Sequence, residues 1–115
     1  MLANRRLLVM EDSLEDIQMI KRHTSSLQLE MKSARTIDEG LELLRTEPFD
    51  FLLSDLHIES IVGVDIPDGF RLISEALELQ PNLTVLAMST DPRADIWQSA
   101  KEAGAQHFIR KPILR

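Results

Sequence analysis

Phe51-Leu52-Leu53-Ser54-Asp55 is an apolar run that ends on a carboxylate. An earlier run, Leu7-Leu8-Val9-Met10, ends on the acid pair Glu11-Asp12. If both are buried parallel strands that leave the sheet at the same edge, three acids meet there. Like charges at close range repel, and a bound cation relieves the repulsion. An all-oxygen ligand set suits a hard divalent ion such as Mg²⁺. Two more polar groups end later candidate strands: Ser89 after Thr84–Met88, and Lys111 after Gln106 to Arg110. Acids, a hydroxyl and one cation on four successive strand ends suit phosphoryl transfer onto a carboxylate. Asp55 is then the nucleophile, activated by its position and by metal. Asp12, with Glu11 beside it, holds Mg²⁺, which neutralises phosphoryl oxygens. Ser89 donates a hydrogen bond to one oxygen, and Lys111 pairs with another as a point charge.

That chemistry requires a particular frame. Short apolar runs alternate with helix-period segments, the pattern of a parallel sheet covered on both faces. A first strand is expected at about Arg6 to Met10. Ser13 caps a helix over roughly Leu14 to Ser26, with Asp16 as a weak capping-box partner and Leu14, Ile17, Ile20 and Leu27 as its apolar positions. A short polar strand, about Glu30 to Ala34, reads as a sheet edge. Thr36-Ile37-Asp38-Glu39 is a capping box that opens a second helix, with Ile37, Leu41 and Leu44 facing inward and Pro48 barring continuation. The Phe51 to Ser54 strand is apolar on both faces, as a central strand should be. After an irregular loop from His57 to Pro67, Asp68-Gly69 precedes a third helix with a stripe of Phe70, Ile73, Ala76 and Leu77. The fourth strand is Thr84 to Met88. Asp91-Pro92 starts a fourth helix that runs to about Ala103, with Gly104 as its C′ residue. Ligands of such open sheets bind beyond the carboxyl ends of the strands, where the acids, Ser89 and Lys111 fall.

Composition narrows the alternatives. A chain of 115 residues fits one domain, and 43% hydrophobic residues supply one core. A net charge of −6 argues against direct nucleic-acid binding, which needs a basic face. The absence of cysteine excludes disulfides and thiolate metal sites. No apolar run approaches the roughly 20 residues of a membrane helix, and a cytoplasmic location is the default expectation. The three histidines lack ligand spacing: His23 reads as a solvated helix residue, His107 as a strand-edge residue, and the His57 side chain as lying near the mouth of the site. Met10, Met19, Met31 and Met88 read as packing residues. Trp97 reads as a packing residue or, by preference, an exposed partner contact.

The order Glu11-Asp12, Asp55, Asp68-Gly69, Ser89, Lys111-Pro112 resembles the receiver domain of two-component response regulators. The resemblance covers essentially all of residues 1–115 as one receiver domain. It implies a flavodoxin-like, doubly wound α/β fold with a five-stranded parallel sheet in the order 2-1-3-4-5. It further implies that Asp55 accepts a phosphoryl group from a histidine kinase or phosphotransfer protein. Glu11, Asp12, Asp55 and the main-chain carbonyl of His57 would bind Mg²⁺. Ser89 and Phe108 would form the switch, altering the face of helix four and strand five for a downstream protein whose identity the sequence does not give. A weak self-dephosphorylating activity at most is expected, so the chain is not read as an enzyme.

The sequence departs from that family in three places. Thirteen positions separate Asp55 from Asp68, and the stretch Glu59 to Pro67 is apolar for a loop. Thr90 stands where a small residue is usual. The chain stops at Arg115, leaving no room for the usual fifth helix, so that four helices are expected; a truncation, omitted disordered residues, or a natural short form whose apolar groups beside helix one a partner covers would each account for it. A dimer is one such arrangement. The alternative function is a pseudo-receiver, a protein-interaction module that works without phosphorylation. A metal-dependent phosphatase with an aspartyl intermediate would want an acid where His57 stands.

Overall fold

The computed structural model describes residues 5–56, 69–89 and 94–111. Strand β1 (Arg5–Met10) leads to helix α1 (Leu14–Thr24), β2 (Leu29–Ala34), α2 (Ile37–Thr46), β3 (Phe51–Asp55), α3 (Gly69–Leu79), β4 (Thr84–Ser89), α4 (Ala94–Ala103) and β5 (His107–Arg110). The five strands are parallel, in the order β2-β1-β3-β4-β5. This is the expected flavodoxin-like arrangement, with four helices among the described residues. The polar strand β2 is an edge, and β3 is central, because only a strand apolar on both faces tolerates cover on both.

Side chains alternate across a strand, and the alternation sorts the core into two layers. Leu8 and Met10 of β1, Leu52 of β3, and Val85 and Ala87 of β4 pack with Ile37, Leu41 and Leu44 of α2, Leu72, Ile73 and Ala76 of α3, and Ile96 and Ala100 of α4. The residues between them, Leu7, Val9, Leu53 and Met88, pack on the other side with Ile20 of α1. That second layer is thinner, and Phe51, Leu86 and Ile109 at its margin are only half-buried.

Helix ends follow their local sequence. Ser13 accepts a hydrogen bond from the Asp16 amide at 3.3 Å, and Thr36 accepts one from Glu39 at 3.2 Å. At the end of α4, Gly104 has φ of 122°, and its amide donates to Lys101 while that of Ala105 donates back to Ala100. This is a Schellman motif, the left-handed turn that glycine adopts most readily. Gln80, just after α3, donates to the carbonyls of Leu44 at 2.8 Å and Glu47 at 2.7 Å and accepts from the Phe49 amide at 2.8 Å. It thereby ties the end of α2 to the entrance of β3.

Several expectations need correction. Helix α1 ends at Thr24 rather than Ser26, and both Leu14 and Leu27 are 56% exposed, so neither belongs to the buried stripe. The inward positions of α1 are Ile17 and Ile20. His23 is half-buried, and its Nε2 is buried without a hydrogen-bond partner among the described residues, unlike a solvated residue. Trp97 is half-buried and packs on the core, its ring centroid 5.3 Å from that of Phe108. The His57–Pro67 loop, Asp68, Thr90, Asp91, Pro92 and Pro112 lie outside the described residues.

Candidate functional site

The strand register builds the site. Met10 pairs with Ser54, and Asp55 pairs with Met88, so Glu11 and Asp55 leave adjacent strands at the same level. The odd-numbered alternation that points Leu7, Val9 and Leu53 toward α1 continues to Glu11 and Asp55. On β5 it runs through Ile109 to Lys111, whose amide donates to the Ser89 carbonyl at 2.9 Å and extends the ladder one residue. Three charged groups from β1, β3 and β5 therefore converge on the face covered by α1.

They converge on one ammonium. Lys111 Nζ pairs with Glu11 Oε1, with Asp16 Oδ2 at 2.8 Å and with Asp55 Oδ2 at 3.1 Å. Glu11 is fully buried, whereas the Asp16 side chain is 32% exposed. Burial pushes the Glu11 carboxyl up to about 8, reinforced by its neighbour Asp55 and opposed by Lys111. Burial alone would lower the Lys111 pKa, but pairing with Asp16, Glu11 and Asp55 outweighs it and raises the pKa. Asp16 is held below the usual carboxylate range, first by Lys111.

Asp12 completes the acid group. Carboxylate oxygens of Glu11, Asp12 and Asp55 lie within 4.8 Å of one another. That span matches a hard divalent cation with oxygen ligands at about 2.0–2.6 Å, so the donor set fits Mg²⁺. The loop carrying it is pinned from outside: the Arg35 guanidinium donates to the Asp12 carbonyl at 3.0 and 3.2 Å, and the Glu11 amide donates to Ala34 at 3.0 Å.

Of the residues singled out in the sequence, Glu11, Asp12, Asp55 and Lys111 come together. Ser89 is buried at the end of β4, beside Met88, the ladder partner of Asp55. Phe108 lies apart from the acids. It pairs with Ala87 on the face of α2, α3 and α4 and leans on Trp97, over which Lys101 Nζ sits 5.6 Å from the ring centroid. The His57 carbonyl falls outside the described residues. Sequence reasoning missed Asp16 and Arg35. Asp16 was assigned to capping, but it precedes the buried Ile20 by four residues, a spacing that puts both on the sheet-facing side of α1. Arg35, one residue beyond an edge strand, gave no such signal.

The family described as the response regulator receiver domain matches residues 7–115. The chain belongs to this family. Among relatives, the receiver is 26% identical over 112 residues to the response regulator protein PilR of Pseudomonas aeruginosa, a match that covers 97% of this chain and 24% of that protein. It is 27% identical over 114 residues to stress response regulator protein 1 of Candida tropicalis, covering 97% of this chain and 42% of that one. The receiver thus spans less than half the length of these relatives. A response regulator of Burkholderia pseudomallei, solved with a phosphorylated aspartic acid, a calcium ion and citrate, superposes with a TM-score of 0.82 at 26% identity, over 96% of this chain and 61% of that one. A CheY-like receiver domain of Methanospirillum hungatei shares the fold, with a TM-score of 0.82 at 24% identity over 96% of this chain and 83% of that one. No helix among the described residues is long and apolar enough to cross a membrane.

Proposed function

We propose that residues 1–115 form one receiver domain in which Asp55 is the phosphoacceptor of a two-component system. The observation that carries this reading is the placement of Asp55. It ends the central strand with Lys111 at 3.1 Å and the carboxylates of Glu11 and Asp12 within 4.8 Å. The donor is a phosphohistidine on a histidine kinase or phosphotransfer protein. A carboxylate oxygen of Asp55 attacks phosphorus, an O–P bond forms, the P–N bond breaks, and the imidazole leaves with the electron pair and takes up a proton. Mg²⁺, held by Glu11, Asp12, Asp55 and the His57 carbonyl, would supply positive charge against the phosphoryl oxygens. Lys111 pairs with one phosphoryl oxygen and Ser89 donates to another.

The product carries roughly one more negative charge than the carboxylate it replaces. At about 4 Å and an effective dielectric near 20, a unit-charge interaction is of order 4 kcal/mol, beyond the ~1–3 kcal/mol of typical allosteric coupling. Ser89 moves toward the phosphoryl group, Phe108 shifts against Trp97, and the face of α4 and β5 changes shape for a downstream protein. The domain is a cytoplasmic signalling module rather than an enzyme, with no direct contact to nucleic acid. A phosphorylation-independent pseudo-receiver is not favoured, since it gives no reason for the acids and Lys111 to converge.

Mass spectrometry after treatment with acetyl phosphate tests the assignment. The expected result is one added phosphoryl group that requires Mg²⁺ and is absent from Asp55→Asn. Equal uptake by Asp55→Asn would move the acceptor elsewhere.

A further inference from the structure

Three carboxylates surround the Lys111 ammonium, and the phosphoacceptor reading leaves one of them without a role. Glu11 and Asp55 belong to the acid group from β1 and β3, but Asp16 reaches in from the first turn of α1, 2.8 Å from Lys111 Nζ. An ammonium has three N–H donors, and this one already faces three carboxyl groups. A phosphoryl oxygen approaching Asp55 must compete with them, since Asp55 keeps its charge until the O–P bond forms. Glu11 is fully buried, and the Asp55 side chain is 9% exposed, so water cannot readily replace Lys111 for either. The Asp16 side chain is 32% exposed, and water can take over its charge. Release of Asp16 is therefore the least costly of the three.

We infer that Asp16 is a positioning residue for phosphoryl transfer: it holds the Lys111 ammonium in the resting domain and competes with the phosphoryl oxygen for it. This inference rests on Asp55 being the phosphoacceptor. Asp16 touches no reacting atom and acts through Lys111. The hold orders a long side chain beside Asp55 at the cost of slower uptake.

The test uses Asp16→Asn, which removes the charge and keeps the shape. The rate of phosphorylation by acetyl phosphate with Mg²⁺ should rise about two- to fivefold, the factor expected of a partly exposed ion pair. Glu15→Gln removes the same charge from an exposed neighbour on α1 and should leave the rate unchanged. In a Lys111→Ala background, Asp16→Asn should have no further effect, because the double-mutant cycle isolates coupling through Lys111. A second readout is independent of phosphorylation: in ¹⁵N NMR, the Lys111 ammonium protons should exchange with water faster in Asp16→Asn and return toward the wild-type rate in Asp16→Glu. Unchanged ammonium exchange, an equal acceleration in Glu15→Gln, or an effect that persists without Lys111 would each overturn the inference. A wild-type protein that takes up no phosphoryl group would refute the phosphoacceptor reading instead, and the ammonium exchange would still decide whether Asp16 holds Lys111.

Discussion

Lys111 offsets part of the negative charge of the site. Without it, Glu11, Asp16 and Asp55 repel one another across a largely buried space. Lys111→Ala should therefore destabilise the metal-free domain by about 1–3 kcal/mol, less than the ~3–5 kcal/mol of a fully buried broken pair because Asp16 is open to water. A divalent cation bound as proposed would supply the missing positive charge, so thermal melting in EDTA should show a larger deficit than melting in Mg²⁺. Equal deficits in the two buffers would argue that Lys111 acts by packing rather than by charge. The strand-end acids were legible in the sequence because each ends a recognisable apolar run, and Lys111 because it follows a short strand just before Pro112. Asp16 was not, since its capping-box position offered a sufficient local explanation. Its contact with Lys111 depends on how α1 lies across β5, which no local pattern encodes.

The helices and strands were legible wherever the local sequence decides them. The Thr36 cap, the central position of β3 and the Gly104 turn all follow from residue type and spacing. The end of α1 was not, because Leu27 continues a helical period that the structure abandons at Thr24. There Thr24 and Ser25 hydroxyls turn back to the carbonyls of Ile20 and Arg22, at 2.9 Å in each case. Nor did the sequence reveal the tie made by Gln80, whose partners lie more than thirty positions away. Gln80→Ala should cost about 2–3 kcal/mol, since three partly buried hydrogen bonds are lost at ~1 kcal/mol each. Urea denaturation measures this directly, and a loss below about 0.5 kcal/mol would show that water replaces the side chain.

The described residues form two unequal layers on either side of the sheet. The layer under α2, α3 and α4 is closed, with Leu72 and Ile73 fully buried. The layer under α1 leaves Phe51, Leu86 and Ile109 half-buried among the described residues. Ile73→Ala should cost about 2–5 kcal/mol as a cavity in the closed layer, whereas Ile109→Ala should cost under about 1.5 kcal/mol, scaling with the smaller apolar area it buries. Matched urea titrations check the contrast, and comparable losses would mean that Ile109 is covered more fully than its exposure implies. The distance in sequence between Glu11 and Lys111, 100 residues, has a consequence for synthesis. A ribosome that has released β1 through β4 has delivered the acids of the site without the Lys111 ammonium, and the emergence of β5 offsets part of their charge. The buried acids thus gain their ammonium partner only when β5 has joined the sheet, so the site is assembled late however early its first acid is made.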